Sequence, residues 1–104
     1  MIYMTVELTI APGMQAACYE YERTVLALFR EHGGRVIVAY RPSAQTGEVV
    51  PDEVQILSIE SHDHLAAYMA DPRRQALAEA RTRAILETRV VMSEELLDYS
   101  SELG

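Results

Sequence analysis

Hydrophobic and polar residues alternate without a break from Ile2 to Ile10. Ile2, Met4, Val6, Leu8 and Ile10 share one face, and Tyr3, Thr5, Glu7 and Thr9 the other. A period of two is the mark of a β-strand, and Ala11-Pro12-Gly13 ends it. Over residues 14–32 the period changes. Cys18, Tyr21, Val25, Leu28, Phe29 and His32 recur at steps of three and four, with Glu20, Glu22, Arg23, Arg30 and Glu31 on the wet side of a helix. Gly33-Gly34 stops the helix, one of the pair suiting the left-handed C-terminal position. Residues 35–41 and 53–60 read as a second and third strand, separated by a loop that holds Pro42, Gly47 and Pro51. Ser61 caps a short helix through about Met69. Asp71-Pro72 starts another, with Asp as N-cap and Pro at the first helical position. It is expected to run to about Leu86 with Leu77, Ala80, Ala84 and Ile85 inward. Residues 88–93 form a fourth strand, and 94–104 an acidic tail with a helical turn expected at Glu94–Tyr99.

The order β-α-β-β-α-β predicts an α+β, ferredoxin-like domain over residues 1–93, with two helical segments on one face of a four-stranded antiparallel sheet. Residues 94–104 stand apart as the tail. The other face of the sheet does not read as wet. Val36 and Val38 alternate with Ile37 and Ala39, and Val54 and Ile56 with Leu57 and Ile59, so both sets are apolar. At about 25 cal/mol per Å² of apolar surface, exposing such a face forfeits several kcal/mol. Two copies are therefore expected to close sheet to sheet as a symmetric homodimer.

Composition narrows the function classes. The chain has 104 residues, 49% hydrophobic and 24% charged, which suits one globular domain. A single cysteine excludes a disulfide framework and a cysteine-rich metal site. A net charge of −7 argues against nucleic acid or an anionic membrane as partner. All nine basic residues are arginine, which excludes lysine Schiff-base chemistry. No apolar run is long enough to span a bilayer, and Met1–Met4 lacks the basic start of a signal peptide. A cytoplasmic protein with no membrane partner is expected.

The candidate chemistry lies in histidines, tyrosines and one carboxylate. His62 and His64 flank the start of the short helix, where the helix N-terminus favours a neutral imidazole able to act as a base. His64 and Tyr68 are four apart and form a candidate acid–base pair; the plainer reading leaves both histidines on the surface. His-x-His spacing lacks the further ligands a metal needs. Tyr3 and Glu7 share a strand face, where Glu7 serves either as a substrate-orienting carboxylate or as the partner of Arg35 or Arg89. Tyr21, Tyr40 and Tyr68 suit the wall of a pocket for a flat aromatic molecule. His32 reads as a helix-terminal residue. Cys18 reads as a small buried hydrophobe. Arg73, Arg74, Arg81 and Arg83 read as ion-paired on a solvated face or as readers of a carboxylate.

The strand-helix order, Tyr21, the Arg30-Glu31-His32-Gly33-Gly34-Arg35 junction, the Ser61 cap and the Asp71-Pro72-Arg73-Arg74 start together resemble the dimeric α/β-barrel superfamily over residues 2–93. That superfamily includes the antibiotic-biosynthesis monooxygenase-like proteins. Size and pattern look most like its RedY-like members of prodigiosin and bisindole pathways. The resemblance implies a small tailoring protein of secondary metabolism that needs no cofactor. It would steer cyclisation, condensation or oxygenation of an aromatic, pyrrolic or indolic intermediate. The alternative is a module that binds a small metabolite without turning it over. The absence of tryptophan speaks against the haem-degrading branch.

Overall fold

The computed structural model describes residues 1–99. Its elements are β1 (Ile2–Ile10), α1 (Gln15–Glu31), β2 (Gly34–Tyr40), β3 (Glu53–Ile59), α2 (His62–Ala70), α3 (Pro72–Gln75), α4 (Ala78–Ala84) and β4 (Ile85–Ser93). The strands form one antiparallel sheet in the order β2-β3-β1-β4, the ferredoxin-like arrangement. The helices lie on one side of it. The alternation in β1 decides which side is dry: Ile2, Met4 and Leu8 are buried with Leu57 and Ile59 of β3 beneath Cys18, Val25 and Phe29 of α1.

The turn after α1 needs both glycines. Gly33 has φ +84°, a backbone conformation that a side chain disfavours. Gly34 lies against the Phe29 ring, and a Cβ there would stand 2.3 Å from it. The two N-caps form as expected: Ser61 Oγ accepts from the His64 backbone N–H, and the Asp71 carboxylate from that of Arg73. The Asp71 carboxylate also accepts from the Arg73 guanidinium at 3.0–3.2 Å and meets His32 Nε2 at 2.8 Å. It thereby ties the end of α1 to the start of α3. Those bonds, Arg73's side chain first, hold its pKa well below the usual carboxylate range.

Five expectations change. The single helix expected from 72 to 86 is two short ones, α3 and α4, with a turn at Ala76–Leu77 that nothing in the local sequence requires. Residues 85 and 86 belong to β4, because Ile10 extends β1 far enough to pair with Ile85. Ala80 is exposed, whereas Ala84 and Ile85 are buried. In β2 the register shifts between Val36 and Val38, so Val36 pairs with Leu57 on the helix side and Val38 with Ile56 on the far side. A bulge of this kind inserts one residue, here Ile37, and reverses the faces that strict alternation assigns. Glu94–Tyr99 makes no helical turn, and the tail beyond residue 99 lies outside the described residues.

Gly34→Ala is expected to cost about 1–3 kcal/mol by overpacking against Phe29, read as a lower urea midpoint with unchanged slope. A wild-type midpoint would mean the ring moves aside freely. A carboxyl whose folded pKa lies below its unfolded value stabilises the fold above about pH 4 and loses that contribution on acidification. The unfolding free energy is therefore expected to drop below about pH 4. Asp71→Asn flattens that drop and lowers Tm at neutral pH; a variant curve parallel to wild type would remove Asp71 from the account.

Candidate functional site

The helix layer leaves a cleft of about 410 Å³ between α1, α2, α4 and the sheet. Its floor and walls are largely apolar, with Met4, Val6 and Leu57 below, Val25 and Phe29 on α1, and Val90 and Met92 on β4. The edge strand forms the open side. Val90 is 47% exposed and Met92 58%, although both point to the helix side through their pairing with Val6 and Met4. Seven polar side chains interrupt this wall: Tyr21 and Glu22 on α1, Gln55 on β3, Tyr68 on α2, Arg74 on α3, Arg81 on α4 and Thr88 on β4.

Glu22 is the one carboxyl in the lining. Burial pushes its pKa up from the ordinary value, and a hydrogen bond from Gln55 Nε2 to Glu22 Oε2 at 2.9 Å partly offsets this. The same amide donates to Glu53 Oε2 at 2.7 Å, so Gln55, almost fully buried, holds both carboxyls in place. Tyr21 is pushed up to about 12, by burial first and then by the Glu22 charge. Tyr68 is raised as well, by burial against the opposing pull of Arg74. Its ring packs edge-on to Phe29 with centroids 5.1 Å apart, and Arg74 Cζ lies 5.1 Å from its centroid. Arg81 Nη2 donates to Thr88 Oγ1 at 2.9 Å. A carboxyl biased towards holding its proton, on a dry wall beside two phenols and two guanidiniums, suits proton transfer to or from a bound molecule.

Of the residues picked from the sequence, the cleft collects Tyr21 and Tyr68. Tyr3 and Glu7 lie on the opposite side of the sheet. Tyr3 pairs with Ser58 and Ser93, and Glu7 accepts from Arg89 at 3.3 Å, one of the two partners expected for it. Tyr40 lies outside the cleft too, in a second hollow between α1 and β2. His62 pairs with Glu94 on the surface. The ring nitrogens of His64 meet Ser61 Oγ at 2.6 Å and the Glu60 carboxylate at 3.1 Å. Neither histidine lines the cleft, so the four-residue spacing of His64 and Tyr68 does not bring them to one site. The reason is that α2 turns only its Leu65, Tyr68 and Met69 side inward. Cys18 is fully buried and its thiol is pushed up to about 11 by burial first, as suits a packing residue.

Glu22 and Gln55 are lining residues that the sequence reading does not single out, whereas Arg74 and Arg81 belong to the arginine group named there as ion-paired or as readers of a carboxylate. Glu22 had been assigned to the wet side, yet it sits four residues after Cys18 and three before Val25, on the edge of the buried stripe. Arg74, Leu77, Arg81 and Ala84 follow each other at helical steps, which puts two arginines on the side of a helix expected to face inward. Arg73, by contrast, is ion-paired as expected, to Glu31 at 2.9 Å and to Asp71.

The fold recurs in solved structures. A protein of unknown function from Rhodopseudomonas palustris shares 19% identity with this chain at a TM-score of 0.76, over 93% of this chain and 83% of its own. A NIPSNAP domain protein from Burkholderia xenovorans aligns at 0.68 with 16% identity, over 92% and 95%. A putative antibiotic biosynthesis monooxygenase from Nitrosomonas europaea aligns at 0.70 with 15% identity, over 93% and 100%. The expected likeness to antibiotic-biosynthesis monooxygenase-like proteins therefore holds for the fold. No curated protein matches the sequence. A family model does match, over residues 2–95, and the chain belongs to that family, the domain of unknown function DUF1330.

Proposed function

We propose that this protein is a small-metabolite enzyme whose inner cleft holds a flat aromatic or heteroaromatic molecule and whose Glu22 moves a proton on it. The observation that carries this reading is the Glu22 carboxyl, raised by burial and fixed by Gln55, in an otherwise apolar cleft. A carboxyl so placed is protonated more readily than one in water and returns its proton with little reorganisation. Tyr21 and Tyr68 supply apolar ring surface and hydroxyls that stay protonated at neutral pH. The chemistry these groups offer is positioning and proton transfer, which suits cofactor-free cyclisation or condensation. A RedY-like role would make the guest a pyrrolic or indolic intermediate of secondary metabolism.

The working unit in this reading is a homodimer. The far side of the sheet carries an apolar row, Val38, Ile56 and Val91, with Thr5 between. Val91 and Val38 are about half exposed in one copy. Arg35 and Arg89 lie around that row with Glu7 and Glu87. A face with both signs of charge about an apolar centre is complementary to itself under two-fold symmetry.

Four outcomes test this. Thermal-shift screening with indole and pyrrole carbonyl compounds is expected to find ligands that Val90→Trp, which fills the open side of the cleft, no longer binds. Glu22→Gln is expected to keep affinity for such a ligand within a few-fold while turnover falls by about 10²–10⁴; full turnover in that variant would leave a binding module. The sign of its stability change is also set. A carboxyl with a raised folded pKa destabilises the fold as pH rises past its unfolded value, so Glu22→Gln should gain Tm at pH 8 and little at pH 4. Sedimentation at micromolar concentration is expected to give twice the monomer mass for wild type and the monomer for Val91→Arg; a monomeric wild type would overturn the dimer.

A further inference from the structure

We propose that Arg74 and Arg81 form an anion subsite in the inner cleft, so that the molecule held there carries a carboxylate. This rests on the reading of the cleft as a metabolite site and names the class of guest.

Two cationic side chains of the cleft lack a balancing charge. The chain has sixteen acidic residues against nine arginines, so acidic partners are plentiful. Arg73 uses two of them, Glu31 and Asp71. Arg74, the next residue, makes no ion pair among the described residues and turns to the Tyr68 ring instead. Its Nε is shut off from solvent and has no hydrogen-bond partner, the one such side-chain atom among the described residues. A sealed guanidinium N–H without an acceptor is unfavourable, and it is tolerated where a ligand completes the site. Arg81 likewise makes no ion pair among the described residues, and its hydrogen bond to the neutral Thr88 hydroxyl leaves its charge unbalanced. The only lining carboxyl is Glu22, which is engaged by Gln55 and biased towards its neutral form.

The cleft therefore holds two positive charges against at most one negative. An added anion offsets that excess: with Glu22 charged one negative charge balances it, and with Glu22 protonated two do. A planar carboxylate also matches the fork of a guanidinium. The flat apolar body of the guest would lie on Leu57, Val90 and Met92, with its carboxylate towards α3 and α4 and its reacting carbon towards Glu22. In a cleft that shields charge from water, such a contact is stronger than its counterpart on the surface.

The probes are 1-naphthoate and its neutral analogue 1-naphthamide, titrated into the wild-type protein and followed by amide chemical shifts. Naphthoate is expected to bind roughly tenfold tighter, with shifts on α3, α4 and β4. Arg74→Gln and Arg81→Gln should each remove most of that preference and leave naphthamide affinity unchanged, while Arg74→Lys retains part of it. Each variant reports on one guanidinium, so a poorly folded variant leaves the other to decide. Equal affinity for the two probes in wild type, or a preference that survives both substitutions, overturns the anion subsite and leaves the apolar cleft standing. Failure of both probes to shift any cleft residue at millimolar concentration overturns the cleft reading and this inference together.

Discussion

Met4, Leu8, Leu57 and Ile59 must be kept from water, and the helices that cover them do not reach across the whole sheet. Four strands spaced about 4.8 Å apart make a surface wider than one helix of about 10 Å diameter. The 17-residue α1 covers part of it, and the rest falls to three short helices, α2 to α4. Along the edge strand β4 that cover runs out, and Val90 and Met92 stay half open although they face the core side. The cleft is what remains between two layers of unequal width. Its apolar lining is the unfinished margin of the core.

A dry margin imposes a condition on every polar group placed in it: each must find a partner or change its protonation. Glu22 in the cleft, and Asp71 buried outside it at the junction of α1 and α3, show the two outcomes. Asp71 is surrounded by the Arg73 guanidinium, His32 and a backbone N–H, so the charged form is favoured and the carboxylate serves to join α1 to α3. Glu22 has one neutral amide donor and a buried place in a largely apolar cleft, so the proton is held more tightly and the group is suited to chemistry. The same residue class acts as a structural clip in one place and, in the proposed function, as a proton carrier in the other, and the neighbours decide which.

The framework was legible from the chain. Alternation in β1, the Gly33-Gly34 stop, the Ser61 and Asp71 caps and the order of elements led to a four-stranded ferredoxin-like sheet, because local chemistry acts within a few residues of itself. The pairing of Glu7 with Arg89 was legible too, since a carboxylate in the middle of a strand needs a neighbouring cation. The site was half legible. Tyr21 and Tyr68 stood out as aromatic residues on inward stripes, but His62 and His64 drew attention through their residue type alone, and they lie on the outside of α2 paired with Glu94 and Glu60. Glu22 does not stand out because a charged residue at the margin of a stripe is usually solvated, and for Arg74 and Arg81 the sequence leaves ion pairing on a solvated face and recognition of a carboxylate side by side.

Periodicity and capping residues are properties of the chain taken a few residues at a time, and they determined the places of β1, α1, β2, β3 and α2 to within a residue or two and which side of β1 is dry. The bulge at Ile37, the break between α3 and α4 and the backward extension of β4 to Ile85 depend on which residue stands opposite another across the sheet, a distance the linear pattern does not contain. The same holds for the cleft. Residues 22, 55, 74 and 81 are separated by up to 59 positions, and only the packing of α1, α3 and α4 over an incompletely covered sheet brings them to one wall and takes away the water that would have hidden their charge.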